Sequence, residues 1–369
     1  MNNVGALSDK VIADLFKSGF ISGIGEENIR PGSLDLPIGP EILRIQGEFL
    51  PRPGESVREF LMSGDIETTP HDYAMPLEVG VCYLAKIEGH ISFPSTVYGY
   101  ANPKSSTGRN FVTAKVVADG ISMYDSLGVR GFKGGVHVLI RPDSYPVRVA
   151  PGLALSQLRL LNQYTVLDKL ALEIATKERA VVFQNDGQGL PYSLMMVDED
   201  GSFFVTLDLG RGSDLQQIGW EAIDSRRILD LTKPRSAKVE DFFRPVYASG
   251  GMVYLRKGRR YILSTAEYIS VSPFYAAELR PIDVRLGEFR THAAGFIDPG
   301  WGYGREGEVY GRPITLEVVA YEDMIIRLGQ PVGKVRLEKM QYPPELPYDS
   351  VGSNYIKQNV ALLAKQFIV

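Results

Sequence analysis

Two carboxylates in the C-terminal half of the sequence occupy positions that their neighbours define well. Asp298 opens the triplet Asp298-Pro299-Gly300, a strong turn signal because proline fixes φ and glycine accepts positive φ. Glu317 lies within residues 314–319, whose alternating β-branched side chains predict a half-buried strand. Together these segments predict two strands joined by a turn. By residue type alone Glu317 would face solvent, since a buried glutamate is rare and needs polar partners.

A second group of reactive side chains combines cations with hydroxyls. Lys104, Ser105, Ser106 and Arg109 all fall within residues 104–109. Hydroxyls donate to phosphate oxygens, arginine can bind them bidentately, and lysine supplies a point charge. The group is therefore suited to a polyphosphate, and a solvated surface loop is the alternative.

The elements that must position these side chains are predicted to be mostly strands. The 369 residues are enough for two domains, and 38 Gly, 23 Pro and 19 Tyr spread along the chain indicate many short strands and turns. Residues 8–18 predict one short helix, with Ser8 as N-cap and Gly19 after its end.

Charge and hydropathy exclude several classes of partner. The net charge of −4 gives no overall basic field, so we expect no nucleic-acid polymer as partner. No secretory signal is visible, and no stretch approaches 18 apolar residues, so we expect no membrane partner. Cys82 is the only cysteine, which excludes an internal disulfide and fits a reducing, cytoplasmic location.

The single cysteine also excludes one deamination chemistry. Zinc-dependent nucleobase deaminases hold the metal with two or three cysteines in a Pro-Cys-x-x-Cys context, which this sequence lacks. The four histidines show no metal-ligand spacing either; they are His71, His90, His137 and His292. Any deamination by this chain is therefore predicted to need no zinc and no other protein-bound metal.

The two halves of the sequence resemble each other. Residues 251–257 echo residues 80–86, residues 206–210 echo residues 33–36, and residues 280–285 echo residues 104–109. These echoes predict two tandem copies of one β-domain. We place the first repeat at 1–165, a linker with the start of the second repeat at 166–200, and the second repeat at 201–369.

The copies have diverged in a complementary way. The first repeat keeps both serines of the phosphate group, where the second has Pro281 and Ile282 and keeps only arginines at 280 and 285. The second repeat keeps Glu317, for which the alignment gives Val138 in the first repeat. Neither repeat alone has a full set of candidate residues.

These motifs carry a resemblance to a known family. Residues 293–301 followed by Ile314-Thr-Leu-Glu317 resemble the base-binding hairpin of dCTP deaminases, within the dUTPase-like superfamily. Residues 104–109 resemble the Arg-Ser-Ser-x-x-Arg phosphate motif of that family, with Lys104 in place of the first arginine, and residues 31–39 resemble its N-terminal segment. The resemblance implies a mainly β fold, with two tandem dUTPase-like distorted β-barrels of the β-clip type and a few short helices.

The same resemblance implies a reaction and roles for residues. The reaction is hydrolytic deamination of dCTP to dUTP and ammonia, which supplies dUTP for thymidylate synthesis, with Mg²⁺ carried by the triphosphate. Glu317 would be the general base, with Ser105 and Arg109 positioning water and phosphate. Ala294 would read the base and Asp298 would contact the deoxyribose. The remaining candidates for substrate binding are Lys104, Ser106, Arg280, Arg285 and the tail residues Tyr348, Tyr355 and Gln358.

Superfamily members form trimers with sites between subunits, so the resemblance also implies a homo-oligomer with trimer-like packing. Two arrangements remain open: the phosphate group of the first repeat combined with Glu317 of the second, or the second repeat alone, with Arg280 and Arg285 on the phosphates. Two other functions remain open as well. Residues 294–298 also resemble the dUTPase hairpin, whose aspartate activates water, so a dUTP or dCTP diphosphatase is the alternative. A non-catalytic nucleotide-binding oligomer is the third.

Overall fold

The chain folds into two compact units. The computed structural model describes residues 3–210, 214–287, 289–290, 295–350 and 360–368. Unit 1 comprises Met1–Tyr164, Asp224–Phe242 and Ala364–Val369, and unit 2 comprises Thr165–Ile223 and Phe243–Leu363. The predicted boundaries gave residues 224–242 and 364–369 to the second repeat, whereas the structure packs them with the first.

The first 164 residues form thirteen strands and three helices among the described residues. The helices are α1 (Asp9–Lys17), α2 (Val57–Met62) and α3 (Ser105–Gly108). The strands are β1 (Ile21–Ser22), β2 (Ile29–Arg30), β3 (Ser33–Ile45), β4 (Thr68–Pro70), β5 (Cys82–Ile87), β6 (His90–Ser92), β7 (Tyr98–Pro103), β8 (Val112–Ala118), β9 (Ser126–Leu127), β10 (Lys133–Gly134), β11 (Val136–Pro142), β12 (Val147–Arg148) and β13 (Ala154–Leu161).

The remainder of the described chain adds helix α4 (Lys169–Glu178) and fifteen strands. These are β14 (Val182–Phe183), β15 (Phe203–Thr206), β16 (Gln216–Ala222), β17 (Leu229–Asp230), β18 (Ala237–Lys238), β19 (Phe243–Ala248), β20 (Met252–Leu255), β21 (Arg260–Ile269), β22 (Tyr275–Arg280), β23 (Phe289–Arg290), β24 (Phe296–Ile297), β25 (Arg312–Ala320), β26 (Met324–Arg327), β27 (Pro331–Lys339) and β28 (Phe367–Ile368). Short 3₁₀ turns lie at Glu26–Asn28, Tyr192–Leu194, Val239–Asp241, Val284–Leu286 and Tyr348–Ser350. The predicted mainly β fold with a few short helices, including the one at residues 8–18, is confirmed.

Unit 1 is built on a nine-stranded antiparallel sheet. Its main path runs β8-β11-β5-β3-β13-β7-β9, with β2 and β4 also paired to β3. The long strand β3 pairs with β13 through its first half and with β5 through its second, and the register shifts between Ile38 and Ile42. Such an irregularity bends a strand and lets one strand serve two parts of a curving, barrel-like sheet.

The late segments of unit 1 complete its core by strand pairing. Strand β17 runs parallel to β12, and β28 runs parallel to β18. The ring of Phe242 meets Tyr145 at 4.9 Å and Phe367 at 5.7 Å between centroids, edge-on in both cases. Because Tyr145 and Phe367 are buried, Phe367 belongs to the hydrophobic interior of unit 1.

Unit 2 contains a six-stranded and a four-stranded sheet. The first follows β19-β16-β21-β25-β23, with β14 paired to β21, and the second follows β15-β27-β22-β24. Strand β25 lies between β21 and β23, and its Leu316 and Val318 belong to the core of the unit. Since side chains alternate along a strand, Glu317 points to the opposite face of the sheet from these two residues.

A shared irregularity fixes the correspondence between the repeats. In unit 1, one residue of β13 is left unpaired opposite β3, just after the pair formed by Leu36. In unit 2, one residue of β27 is left unpaired opposite β15, just after the pair formed by Val205. Leu36 therefore corresponds to Val205, which places Phe204 at the position of Asp35. The predicted echo between residues 33–36 and 206–210 is wrong in register. The sequence comparison matched Asp35 to Asp208 instead of Phe204, because short alternating strand sequences look alike at several offsets.

A pair of buried tyrosines corrects the correspondence around Glu317. Tyr83 and Tyr261 each accept a hydrogen bond at the hydroxyl from the backbone N–H five residues earlier, at 3.1 and 2.8 Å. Tyr83 pairs with Ile140 across β11, and Tyr261 pairs with Val318 across β25. The counterpart of Glu317 is thus Leu139, one residue beyond the predicted Val138. The segment matching residues 80–86 is 258–264, so the echo at residues 251–257 is wrong as well.

Candidate active site

The phosphate motif of unit 1 is held by a buried carboxylate. Lys104 follows β7, and its ammonium forms an ion pair with Asp35 on the neighbouring part of the sheet. The guanidinium of Arg30 contacts the same carboxylate oxygen at 2.7 Å, and Asp35 is only 1% exposed. Burial lowers the pKa of Lys104, which the Asp35 carboxylate opposes. Asp35 therefore positions the lysine, in line with a structural role for this carboxylate.

A cavity of about 210 Å³ opens beside this ion pair, within unit 1. Lys104 and Ser106 of the predicted phosphate group line it. Ser105 begins α3, and its carbonyl accepts a hydrogen bond from the Arg109 N–H at 3.0 Å, while the Arg109 side chain is buried with 3% exposure. All four residues thus lie on α3 or at its caps, directly after β7, and Lys104 and Ser106 line the cavity.

Glu317 lies at the centre of β25 and is 2% exposed, so the solvent-facing alternative is wrong. It pairs across the sheet with Ile262 of β21. At the corresponding place in unit 1, Leu139 belongs to an apolar cluster. Burying a carboxylate where the sister repeat buries a leucine lowers stability unless polar groups compensate.

The turn at Asp298 forms as predicted, but the two strands flanking it do not pair with each other. Strand β24 pairs with β22, whereas β25 pairs with β21 and β23. The glycine-rich residues 300–311 are long enough to carry the chain from one sheet to the other. Asp298 is half-buried, and its carbonyl accepts the N–H of Trp301 at 3.2 Å.

Tyr348 packs against the same turn. Its N–H donates to the carbonyl of Pro299 at 2.8 Å, and its ring lies 5.0 Å from that of Trp301. Gly300 has φ of 91°, and a side chain there would come within 2.6 Å of Pro347. Glycine is therefore required by both the turn geometry and this close approach. The structure thus brings Asp298 and Tyr348 together.

A buried ion pair that sequence reasoning missed lies next to Tyr348. Arg312, the first residue of β25, binds Asp349 bidentately at 2.6 and 2.8 Å, and Asp349 also accepts the N–H of Gly304 at 2.8 Å. Both side chains are almost fully buried. The pair fastens the strand that carries Glu317 to the segment after the Asp298 turn. The only available sequence signal was the arginine at the start of a predicted strand.

The arginines of the second repeat occupy a different setting from the phosphate group of the first. Arg280 is exposed beside Glu278 at 3.4 Å, and Arg285 is 86% exposed and binds Asp283 through two contacts of 2.9 and 3.0 Å. Hydrogen bonds from Arg285 lower the pKa of Asp283 to about 2. By the register of the bulge, Arg280 corresponds to Asn102, so the predicted match of Arg285 to Arg109 is shifted by two residues.

Three predicted site residues, Ala294, Tyr355 and Gln358, lie outside the described residues, as does His292. Within the described parts of the chain, no group of three His, Cys, Asp or Glu side chains is placed to hold a metal ion. No helix in those parts is long and apolar enough to cross a membrane.

Comparison with models of protein families shows which family the chain belongs to. The family model for the 2'-deoxycytidine 5'-triphosphate deaminase N-terminal domain matches residues 3–164, and the model for the C-terminal domain matches residues 171–367. The chain belongs to the dCTP deaminase family. A solved structure of 2'-deoxycytidine 5'-triphosphate deaminase from Agrobacterium tumefaciens superposes with a TM-score of 0.83 at 29% identity, over 93% of this chain and 97% of that one. Comparison with curated proteins gave no match.

Proposed function

We infer that this dCTP deaminase family member hydrolyses dCTP to dUTP and ammonia, and we propose that Glu317 is its general base. Family membership across both repeats supports the reaction. The observation that supports the role of Glu317 is its burial in the middle of β25, at a place where the other repeat has a leucine. A buried carboxylate can be held near the protonation balance that proton transfer requires.

The proposed chemistry needs one water and no protein-bound metal. Glu317 removes a proton as the water oxygen attacks C4 of cytosine, and the proton passes to N3. A second proton transfer lets the C4 amine leave as ammonia, and the C4–O bond becomes the carbonyl of uracil. The lone cysteine Cys82 is consistent with this zinc-free scheme and with a proposed cytoplasmic location.

We propose that the triphosphate, with its Mg²⁺, is bound by the phosphate motif of unit 1. Lys104 and Ser106 line a cavity there, and Ser105 and Arg109 lie at the start and at the C-cap of the same short helix, α3. In unit 2, Arg285 is exposed and already paired with Asp283, which argues against the second repeat alone binding the phosphates. A homo-oligomer with trimer-like packing is the accompanying proposal, since the superfamily builds its sites from several subunits.

A diphosphatase acting on dUTP or dCTP is the second candidate. The observation that favours it is Asp298, half-buried in a turn that also packs against Tyr348. Product analysis after incubation with dCTP separates the two reactions. Deamination gives dUTP and ammonia in equal amounts, whereas a diphosphatase gives pyrophosphate and a nucleoside monophosphate.

Replacing Glu317 tests its role. We expect Glu317→Gln to lower kcat by about 100-fold or more while dCTP binding stays close to wild type, because the amide keeps the shape of the side chain and cannot accept the proton. The measurements are steady-state deamination kinetics and calorimetric binding of dCTP.

The matched control is Glu267→Gln, a second glutamate of unit 2. Glu267 lies on β21 and accepts hydrogen bonds from the N–H and hydroxyl of Thr206, both at 2.8 Å. This variant should retain kcat within about twofold, since the carboxylate has a local structural partner. If Glu317→Gln keeps more than about a tenth of wild-type kcat, the residue is not the general base.

A further inference from the structure

Two residues of the segment 364–368, Lys365 and Gln366, line the cavity beside the phosphate motif. Gln366 is 2% exposed; its side-chain carbonyl accepts from Asn110 at 3.1 Å, and its amide donates to the carbonyl of Leu231 at 2.9 Å. The backbone is held as well, because the Gln366 carbonyl accepts from the N–H groups of Ser236 and Ala237 at 2.9 and 3.0 Å. Gln366 therefore fixes the position of the residue before it, Lys365.

Lys365 lines the same cavity as Lys104 and Ser106. The charged side chains around the cavity are three cations, Arg30, Lys104 and Lys365, and one carboxylate, Asp35. Arg30 and Lys104 both contact that carboxylate. Across the part of the chain that the structure describes, the half-buried Lys365 ammonium has neither an ion pair nor a hydrogen-bond acceptor. The cavity thus carries two more positive charges than negative ones.

Asp35 offsets only one of the three positive charges, so two partly desolvated lysines in one cavity are unfavourable without a further anion. Burial lowers the pKa of Lys104, and the charges of Arg30 and Lys365 add to that effect. A bound phosphate would supply the missing negative charge and accept hydrogen bonds from Lys365 and the Ser106 hydroxyl. The segment that carries Lys365 is held in place by the hydrogen bonds of Gln366 and by the pairing of β18 with β28.

We propose that Lys365 is a further phosphate-binding residue of the dCTP site, and that residues 364–368 complete the phosphate pocket of unit 1. The proposal rests on the proposed function, because it assigns the pocket to the substrate triphosphate. It adds a contact from the end of the chain, distinct from the predicted tail residues Tyr348, Tyr355 and Gln358.

Steady-state kinetics of Lys365→Ala and Lys365→Arg test the proposal. Loss of one charged contact should raise KM for dCTP about 10- to 100-fold and change kcat less than about threefold. The Arg variant should recover most of the loss, because it restores the charge. Thermal unfolding of Lys365→Ala should be unchanged or slightly raised, since the ammonium has no protein partner among the described residues to lose and its charge opposes that of Lys104.

Lys238→Ala is the matched control. Lys238 is an exposed lysine on β18 and pairs with Ile368 of β28, so it lies on the same two-stranded ladder without lining the cavity. The KM of Lys238→Ala for dCTP should equal that of wild type. An unchanged KM in Lys365→Ala would overturn the proposal, and so would equal losses in Lys365→Ala and Lys238→Ala.

Calorimetric binding of inorganic tripolyphosphate separates this proposal from the proposed function. If wild type does not deaminate dCTP, the function is wrong, but weaker tripolyphosphate binding by Lys365→Ala would still support the anion pocket. Equal tripolyphosphate binding by wild type and Lys365→Ala would overturn it. Tripolyphosphate that binds through Lys365 without competing with dCTP would also overturn it, because the pocket would then not be the substrate site.

Discussion

At the scale of single residues, the clearest contrast is between Glu317 and Leu139. They hold the same place on corresponding strands, and both are buried. The leucine contributes to an apolar core, whereas the carboxylate needs polar compensation to stay buried. The same strand position thus holds an apolar side chain in one repeat and an ionisable one in the other, as the proposed role of Glu317 requires.

His137, two residues before Leu139 on β11, makes unit 1 sensitive to acid. Burial lowers its pKa to about 4 from 6.5; Lys86 adds to this and Asp119 opposes it. The unfolded chain therefore binds the proton more tightly than the folded chain. The contribution to stability is complete above pH 6.5 and disappears as the pH falls from 6.5 through 4, by about 2–3 kcal/mol for this partly accessible ring.

Replacing the ring by a group that does not titrate tests this. His137→Gln should flatten the fall in unfolding free energy between pH 6.5 and 4, measured by urea denaturation at several pH values. The exposed His90 on β6 provides the control variant His90→Gln. A slope in that window as steep in His137→Gln as in wild type would assign the acid sensitivity to other groups.

Sequence reasoning named candidate residues but could not give their surroundings. Glu317 was found through a motif, since its type alone pointed to solvent. Arg312 and Asp349 went unnoticed, because nothing local in the sequence indicates which charges meet in the interior. The ion pair of Lys104 with Asp35 is likewise a contact between distant strands, 69 positions apart. Such pairs depend on the fold and not on spacing.

At the scale of elements, β25 is the piece on which the proposed chemistry depends. Its first residue, Arg312, is locked to Asp349, and the ring of Trp301 lies 5.8 Å from the Arg312 guanidinium. The pair sets where the strand begins and where the segment after Pro347 attaches. Bidentate pairing with an additional N–H from Gly304 satisfies the buried charges.

Removing one partner of this pair should be costly. Asp349→Ala leaves the Arg312 guanidinium buried without its counter-charge, so we expect a loss of about 3–5 kcal/mol in unfolding free energy. Urea denaturation measures it. The double variant Arg312→Met with Asp349→Leu should recover much of that loss, since it removes both charges together. A loss below about 1 kcal/mol for Asp349→Ala would show that the pair is not desolvated.

Strand existence was predictable at this scale, and strand register was not. Residues 314–319 were predicted as a strand and lie within β25, and the tandem repeat was recognised. The correspondence between repeats was nevertheless misplaced near Asp208 and Val138. An alternating pattern has a period of two, so several offsets fit it, and only hydrogen bonds such as those of Tyr83 and Tyr261 select one.

At the scale of the whole molecule, the phosphate motif and Glu317 lie in different units. Mixing two inactive variants tests whether the phosphate motif and the Glu317 of one active site come from the same chain. Ser106→Glu places a carboxylate in the phosphate cavity, and Glu317→Gln removes the proposed base. If different chains of the proposed oligomer supply the two parts, random mixing should restore about a quarter of the sites.

The readout is deamination after joint refolding, with formation of mixed oligomers checked separately by tagging one variant. Each variant refolded alone is the control and should stay inactive. Mixed oligomers without restored activity would mean that each site draws both parts from a single chain. Restored activity without mixed oligomers would contradict the arrangement in which different chains supply the two parts, because no site could then combine both variants.

The membership of residues 364–368 in unit 1 has a consequence for how the protein is made. The part of unit 1 up to Tyr164 is synthesised well before the segment that starts at Ala364, which follows Tyr164 by 200 positions (364 − 164). At roughly 5–20 residues per second, that interval is about 10–40 s. Throughout it, the nascent N-terminal domain lacks Phe367 against Phe242 and Gln366 against Asn110. Apolar surface stays open during translation, and chaperones have time to bind it before residues 364–368 close the domain.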